Sequence, residues 1–310
     1  MNIIHKFKDF FSQHPLPHSA LQVTSSYISG IHFSIKDRKL KNHFVLPISG
    51  GIIQPSFEKS NIKDSSLLQK IIQGGVDKFN IYDHGVALLL PELSQRTFVF
   101  SFDALPMTSK EKEQLIRFRV KKQMPLLSED VRISYDLLQT NEGKKIISSV
   151  AQSSVVSDYE NFFGQLRLKI KAVGLPLLGL AHLLNWNEEK DFFVINIERD
   201  SLGLLAVTDS VPSLYRQKSL MVRQDENFLV ERVQTIVQEI ENTAQFIQDK
   251  EKKEIASIWI RFGLLESDEE MLSELESRLA LPIKNVESLV SVNLSRQDKR
   301  ILSPLIGQLL

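Results

Sequence analysis

Apolar residues in the first fifteen positions fall at helical spacing. Ile3, Ile4, Phe7, Phe10 and Phe11 share one face, Lys6, Lys8 and Asp9 the other, and Pro15 and Pro17 close the run. The pattern predicts a short amphipathic helix over residues 1–14, docked on its own domain or laid on a membrane surface. From Ser19 the period changes to two. Leu21, Val23, Ile28, Ile31, Phe33 and Ile35 alternate with polar or small residues, Asp37-Arg38 marks a turn, and a segment at 40–46 follows, which predicts the start of a β-meander. Residues 47–51 (PISGG) read as a loop. A helix within 60–74 carries Leu67, Leu68, Ile71 and Ile72, and an apolar strand at 85–90 is closed by Pro91.

A strand is predicted around 98–102. Thr108 and Glu111 then form a capping-box pattern ahead of a helix at 109–124, stopped by Pro125. Leu115, Ile116, Phe118, Val120 and Met124 give that helix an apolar face, and Lys110, Arg117, Arg119, Lys121 and Lys122 make the rest basic. Strands at 131–138 and 145–151 flank a turn at 141–143, and a helix at 154–169, a short strand at 170–173 and a helix with Leu178, Leu180, Leu183 and Leu184 follow. The plan then restarts: a buried strand at 191–197, meander strands at 202–208 and 213–220, a long helix at 226–250, a strand at 257–262, a helix at 268–279, a short strand at 282–286 and a helix at 301–309. The division expected is 1–17 for the N-terminal helix, 18–82 with 174–186 for a first subdomain, 83–173 for an inserted one, and 187–310 for the second half.

At 310 residues the chain exceeds what one hydrophobic core usually supports, in keeping with two lobes or two related halves. Its 38 basic and 38 acidic residues cancel, so no global field points to nucleic acid or membrane. The absence of cysteine excludes disulfides, thiolate metal sites and cysteine nucleophiles, and fits a cytoplasmic setting. No apolar run approaches the roughly 20 residues that span a bilayer, and the interrupted N-terminal run is unlike a signal peptide. His5, His14, His18, His32, His43, His84 and His182 show no metal-ligand spacing, and neither G-x-S-x-G nor a P-loop is present. Gly50-Gly51 and Gly74-Gly75 read as turns.

The segment Val86 to Pro91, then Leu105-Pro106, then the basic helix ending in Lys122-Gln-Met-Pro125, then an extended stretch with Tyr135-Asp136, resembles in order and spacing the PilM branch of the actin-like ATPase superfamily, with FtsA a more distant relative. Residues 172–175 (AVGL) and 301–310 are similar too. The resemblance covers 19–310 and implies an α/β, actin-like (ribonuclease H-like) duplicated fold with a small inserted α+β subdomain in the first half. It also implies a nucleotide cleft whose first hairpin reads Asp-x-Gly-Ser-Ser-Ser-x-Lys, where glycine admits phosphate to the backbone and Asp helps hold hydrated magnesium. Gln22 stands here for Asp, Thr24 for Gly and Ser29 for Lys, with Ser25 and Ser26 between them as polar turn residues. In the second hairpin Asn196-Ile197-Glu198 stands where Asp-x-Gly is implied, which puts a carboxylate against triphosphate charge. The adenosine loop reads Ile260-Arg261-Phe262-Gly263, one glycine kept and bulk added.

The expectation is therefore a pseudo-ATPase with no catalytic residue, no cofactor and no metal, ATP included. A rival is a diverged ATPase or sugar-kinase-like enzyme in which Glu198, Asp200 or Asp209 holds metal. For function, the resemblance implies a cytoplasmic scaffold of a type IV pilus or related secretion machine, peripheral to the inner membrane. Its partner would be the cytoplasmic tail of a PilN-like inner-membrane protein, held in a groove between the first and inserted subdomains. The candidate groove residues are Leu115, Phe118, Arg119, Lys122 and Tyr135, for which core packing and a solvated basic face are the plainer reading. Residues 1–14 are a candidate membrane contact. A third reading is a GspL-like cytoplasmic domain of type II secretion, which normally continues into a membrane helix; the end at Leu310 leads to the expectation of a separate protein.

Overall fold

The computed structural model describes residues 17–34, 36, 39–77, 85–140, 143–186, 188–222 and 228–310, so the helix expected over 1–14 and the turns at 37–38 and 141–142 lie outside the described residues. Thr24 shapes the first hairpin. Its Oγ1 accepts from the amides of Ser26 (3.2 Å) and Tyr27 (2.9 Å) while its hydroxyl donates to the Tyr27 carbonyl at 2.8 Å. That turn joins β1 (Ser19–Val23) to β2 (Tyr27–Phe33), and β3 (Leu40–Pro47) completes the meander. Helix α1 (Ser65–Val76) starts where Asp64 accepts from the Leu67 amide, five residues later than the predicted segment began. Strands β4 (Gly85–Leu89) and β8 (Lys169–Gly174) add in parallel to give the order β3-β2-β1-β4-β8.

The second half repeats this plan. Strands β9 (Phe192–Glu198), β10 (Ser201–Thr208), β11 (Val211–Ser219), β12 (Ser257–Gly263) and β13 (Ile283–Asn285) pair in the order β11-β10-β9-β12-β13. Replacing each strand by its counterpart converts one order into the other. Helix α5 (Phe228–Glu251) matches α1, α6 (Glu269–Arg278) matches α3 (Ser153–Gln165), and α7 (Arg296–Leu309) matches α4 (Pro176–Leu183) in chain position. Helix α3 stops short of the predicted end because Arg167 takes a left-handed conformation (φ 60°) and the Leu168 amide turns back to the Phe163 carbonyl. Helix α7 starts five residues before its predicted beginning, because Ser295 accepts from the Asp298 amide and donates to its carboxylate.

Between β4 and α3 lies the insertion: β5 (Arg96–Phe102), α2 (Ser109–Gln123), β6 (Val131–Thr140) and β7 (Gly143–Gln152), in an antiparallel sheet of order β5-β7-β6. At the head of α2 the Thr108 hydroxyl accepts from the Glu111 amide but donates to the Glu111 carboxylate at 2.6 Å, so the capping box closes through the hydroxyl. One sheet face, with Phe100, Ile146 and Val150, packs under Ile116 and Val120 of α2. The other, with Val99, Leu138 and Ile147, joins Leu177, Val211 and Tyr215 against the second half.

Helix α7 closes the first half. Ile301, Leu302, Leu305 and Ile306 cover Ala20, Tyr27, Ile31 and Leu89 in one apolar cluster. It crosses α4 backbone to backbone: a β-carbon on Gly307 would strike the Gly179 carbonyl, and one on Gly179 the Pro304 carbonyl. Pro304, inside α7, has no N–H, so the carbonyl of Arg300 is left without its intrahelical donor.

Candidate functional site

That freed carbonyl is one end of a buried cluster joining the halves. Arg261 on β12 is 0% exposed, and every N–H of its guanidinium has an acceptor. Nε donates to the Arg300 carbonyl (2.8 Å), Nη2 to the Ile301 carbonyl and the Tyr27 hydroxyl (2.8 Å each), and Nη1 to Asn196 Oδ1 (2.9 Å) and to Glu198 Oε1. Glu198 also accepts from Gln22 Nε2 at 3.0 Å and from the Tyr27 hydroxyl at 3.1 Å. β-Pairing fixes the positions: Arg261 lies opposite Asn196, and Gly263 opposite Glu198. Gly263 has to be glycine, since a β-carbon there would collide with the Glu198 carboxylate and Arg261 Nη1.

Burial by itself would lower the Arg261 pKa, but the Glu198 charge and the Tyr27 hydroxyl outweigh it and hold the guanidinium above its ordinary value. Burial pushes Glu198 upward, against the pull of Arg261 and Tyr27. Its hydrogen-bond partners Gln22, Tyr27 and Arg261 all donate to it, which suits a carboxylate, while the nearby Asp200 charge adds to the upward push. Burial also raises Tyr27, keeping its hydroxyl protonated to donate.

Sequence reasoning passed over a second buried carboxylate. Glu92, just after β4, accepts from the Leu177 amide at the first turn of α4 (3.0 Å) and from the Tyr215 hydroxyl on β11 (2.6 Å), and its carbonyl accepts from Gln217. Thus each half sends one carboxylate into the other. The only signal for it was an acidic residue directly behind an apolar strand and a proline.

The structure gathers Gln22, Asn196, Glu198 and Gly263 around Arg261. Thr24 and Ser26 serve the hairpin itself, Ser25 lies beside Asp200, and Ser29 pairs with Gln22 across β1 and β2. The structure adds what the sequence reading did not include: Glu198 has Arg261 as its counter-ion. A phosphate cradle needs backbone amides that face open space, and those of Ser26 and Tyr27 already bond to Thr24 Oγ1. Asp209 sits at the far end of β10, paired with Lys253 at 2.8 Å, so it does not join Glu198. Arg232, lowered to about 10 by burial, donates to the carbonyls of Glu198 and Arg199 and braces the second hairpin. Among the described residues no group of three or more His, Asp or Glu is placed to hold a metal, and no helix is long and apolar enough to cross a membrane.

A groove of about 260 Å³ separates the inserted sheet from the first sheet. Ser134 and Ser149 line one side and Ile170, Ala172 and Val173 the other, while Arg132 reaches Glu160 (2.7 and 2.9 Å) and Ser157 (3.0 Å) at its rim. Strands β6 and β8 are each the last of their sheets, so two strand edges border the groove. Leu115, Phe118, Arg119, Lys122 and Tyr135 are not among its lining residues. Ile116 and Val120 seat α2 on the opposite sheet face, where Tyr135 also packs, Arg119 lies over Phe100 and Phe102, and Phe118 and Lys122 are exposed. The seat of α2 on Ile116 and Val120 was legible; the exposure of Phe118, expected on that same face, and the side of the sheet that α2 covers were not.

Asp136, beside Ile147 and Val99 on the inner face of the inserted sheet, has Oδ1 buried without a partner, and burial pushes its pKa up to about 7. A raised carboxyl contributes stability that is full below its unfolded value and lost as pH climbs through the folded one, here between about 4 and 7. The advantage of Asp136→Asn over the parent should therefore grow by about 1–3 kcal/mol from pH 5 to pH 8. Urea unfolding at both pH values measures it; a pH-independent offset would show that Asp136 does not titrate there.

The chain has the actin-like fold. It aligns with a chain of a PilM-PilN type IV pilus biogenesis complex at a TM-score of 0.77 and 15% identity, over 96% of this chain and 98% of that one. The cytoplasmic domain of EpsL, an inner membrane component of the type II secretion system of Vibrio cholerae, aligns at 0.53 and 9% identity, over 93% of this chain and 94% of that one. No protein-family model and no curated protein matches the sequence. At these identities the likeness establishes the fold.

Proposed function

We propose that this chain is a non-catalytic actin-like platform of a type IV pilus or related secretion machine, lying against the cytoplasmic side of the inner membrane. Its task is to hold an extended cytoplasmic tail of a membrane partner, PilN-like in kind, in the groove between β6 and β8. The observation that supports the non-catalytic part is Arg261, whose ion pair with Glu198 lies, with every guanidinium N–H engaged, among the residues that stand where the resemblance implies a nucleotide cleft. Two bordering strand edges support the binding part, since an extended peptide gains main-chain hydrogen bonds there and side-chain selection from the walls. The similarity to a chain solved in a PilM-PilN complex points the same way.

Two measurements test the reading. Titration with magnesium ATP should give no saturable heat, and a micromolar dissociation constant abolished by Glu198→Ala would overturn the platform view. Pull-down with cytoplasmic tails of membrane proteins encoded beside this chain should capture one of them. Ser134→Arg, an exposed position that fills the groove from its β6 wall, should weaken that capture about tenfold or more while leaving the melting temperature within about 2 °C. Capture unaffected by Ser134→Arg would move the partner elsewhere.

A further inference from the structure

Helix α2 has a face that the groove does not use. Ile116 and Val120, both 0% exposed, seat it on the inserted sheet, and the opposite pole carries Phe118, which is 65% exposed. Helical spacing places Gln114, Lys121 and Lys122 around that phenylalanine, with Glu111 further up the same face and Lys110 at the head of the helix, all of them exposed. Leu126, 99% exposed, follows the helix, and Met107, 94% exposed, precedes it. In a chain whose charges cancel, α2 carries Lys110, Lys112, Arg117, Arg119, Lys121 and Lys122 against Glu111 and Glu113 alone. Lys121 pairs with Glu129 and Arg117 with Glu113, whereas Lys110 and Lys122 have no ion-pair partner among the described residues.

The chemistry of this face favours lipid over protein. Protein interfaces are depleted in lysine at their centres and gather apolar residues into one dry patch. Here the exposed apolar side chains are spaced apart along the chain, Met107, Phe118 and Leu126, with Lys110, Lys112, Lys121 and Lys122 between them. That spacing suits a headgroup layer, where isolated apolar side chains enter the acyl boundary while lysines meet phosphates.

We propose that the outer face of α2 is a docking surface for an anionic bilayer, with Phe118, Leu126 and Met107 entering the interface and Lys110 and Lys122 supplying the charge attraction. It stands independently of the groove and of residues 1–14.

The test is sedimentation of the full chain with vesicles of phosphatidylcholine alone or mixed with phosphatidylglycerol. Binding should require phosphatidylglycerol and fall as salt rises. The Phe118→Ser/Leu126→Ser and Lys110→Glu/Lys122→Glu variants should each lose about tenfold or more in vesicle affinity, with unchanged circular dichroism and melting temperature because all four positions are exposed. Phe118→Trp should report a blue-shifted emission on adding anionic vesicles. Failure of the folded parent to bind anionic vesicles would overturn the proposal, as would binding that both variants leave intact, or photo-crosslinks from position 118 to an acidic protein in place of lipid.

Discussion

Replacing Arg261 with methionine should lower the unfolding free energy by about 3–5 kcal/mol, the cost of leaving one member of a buried ion pair without the other. The loss has three parts. Glu198 remains buried with only Gln22 and Tyr27 to satisfy it, the carbonyls of Arg300 and Ile301 each lose one donor, Arg300 keeping the Ser303 hydroxyl at 3.0 Å, and Asn196 Oδ1 loses its partner. Methionine keeps most of the apolar volume, so the loss reports charge and hydrogen bonding more than a cavity. Adding Glu198→Gln should recover part of it, because removing both charges from a buried pair costs less than stranding one. Urea unfolding of the parent, both single variants and the double variant completes the cycle. A loss below about 1 kcal/mol for Arg261→Met would mean that water reaches the cluster and that it does not lock the cleft.

The second large effect belongs to the α4 and α7 crossing. Gly307→Val should cost about 3 kcal/mol, since its β-carbon would press on the carbonyl of Gly179, a backbone atom that moves only if a whole helix moves. Gly164→Ala is the matched control: a β-carbon there meets nothing within 4 Å, so the better helix former should be neutral or stabilising by up to about 1 kcal/mol. Equal effects at the two sites in thermal unfolding would sink the close-contact account.

The strands, their duplicated order and the insertion were all visible in the sequence because period-two runs, prolines and capping residues are local signals. Their ends were less so. The early start of α7 was signalled by Ser295 and Asp298, a capping pair that the apolar pattern outweighed. The site was half legible. Gln22, Thr24 and Glu198 could be recognised as departures from a phosphate-binding pattern, but what they do instead depends on partners far away: Glu198 is 176 residues from Gln22 and 63 from Arg261. No local pattern announces that an arginine behind one strand will neutralise a carboxylate behind another. The same holds for Pro304, legible as a flaw in a helix, whose freed carbonyl has meaning only with Arg261 beside it. For α2 the wheel was right at Ile116 and Val120 and wrong at Phe118, which is 65% exposed, and the choice between the two faces of the sheet rested on packing that the helix itself does not encode.

The position of α7 bears on how the chain is made. Its apolar face covers residues synthesised long before it, with about 270 residues between Ile31 and Ile301. At ordinary elongation rates the two are separated by roughly 15–50 s, during which the first sheet has one face without its cover. The first half is therefore not an autonomous co-translational unit, although it is read first. A nascent chain of this protein should hold an unfinished, aggregation-prone surface until residues 296–309 are out, and premature termination before them should yield insoluble product even though most of both sheets has been synthesised.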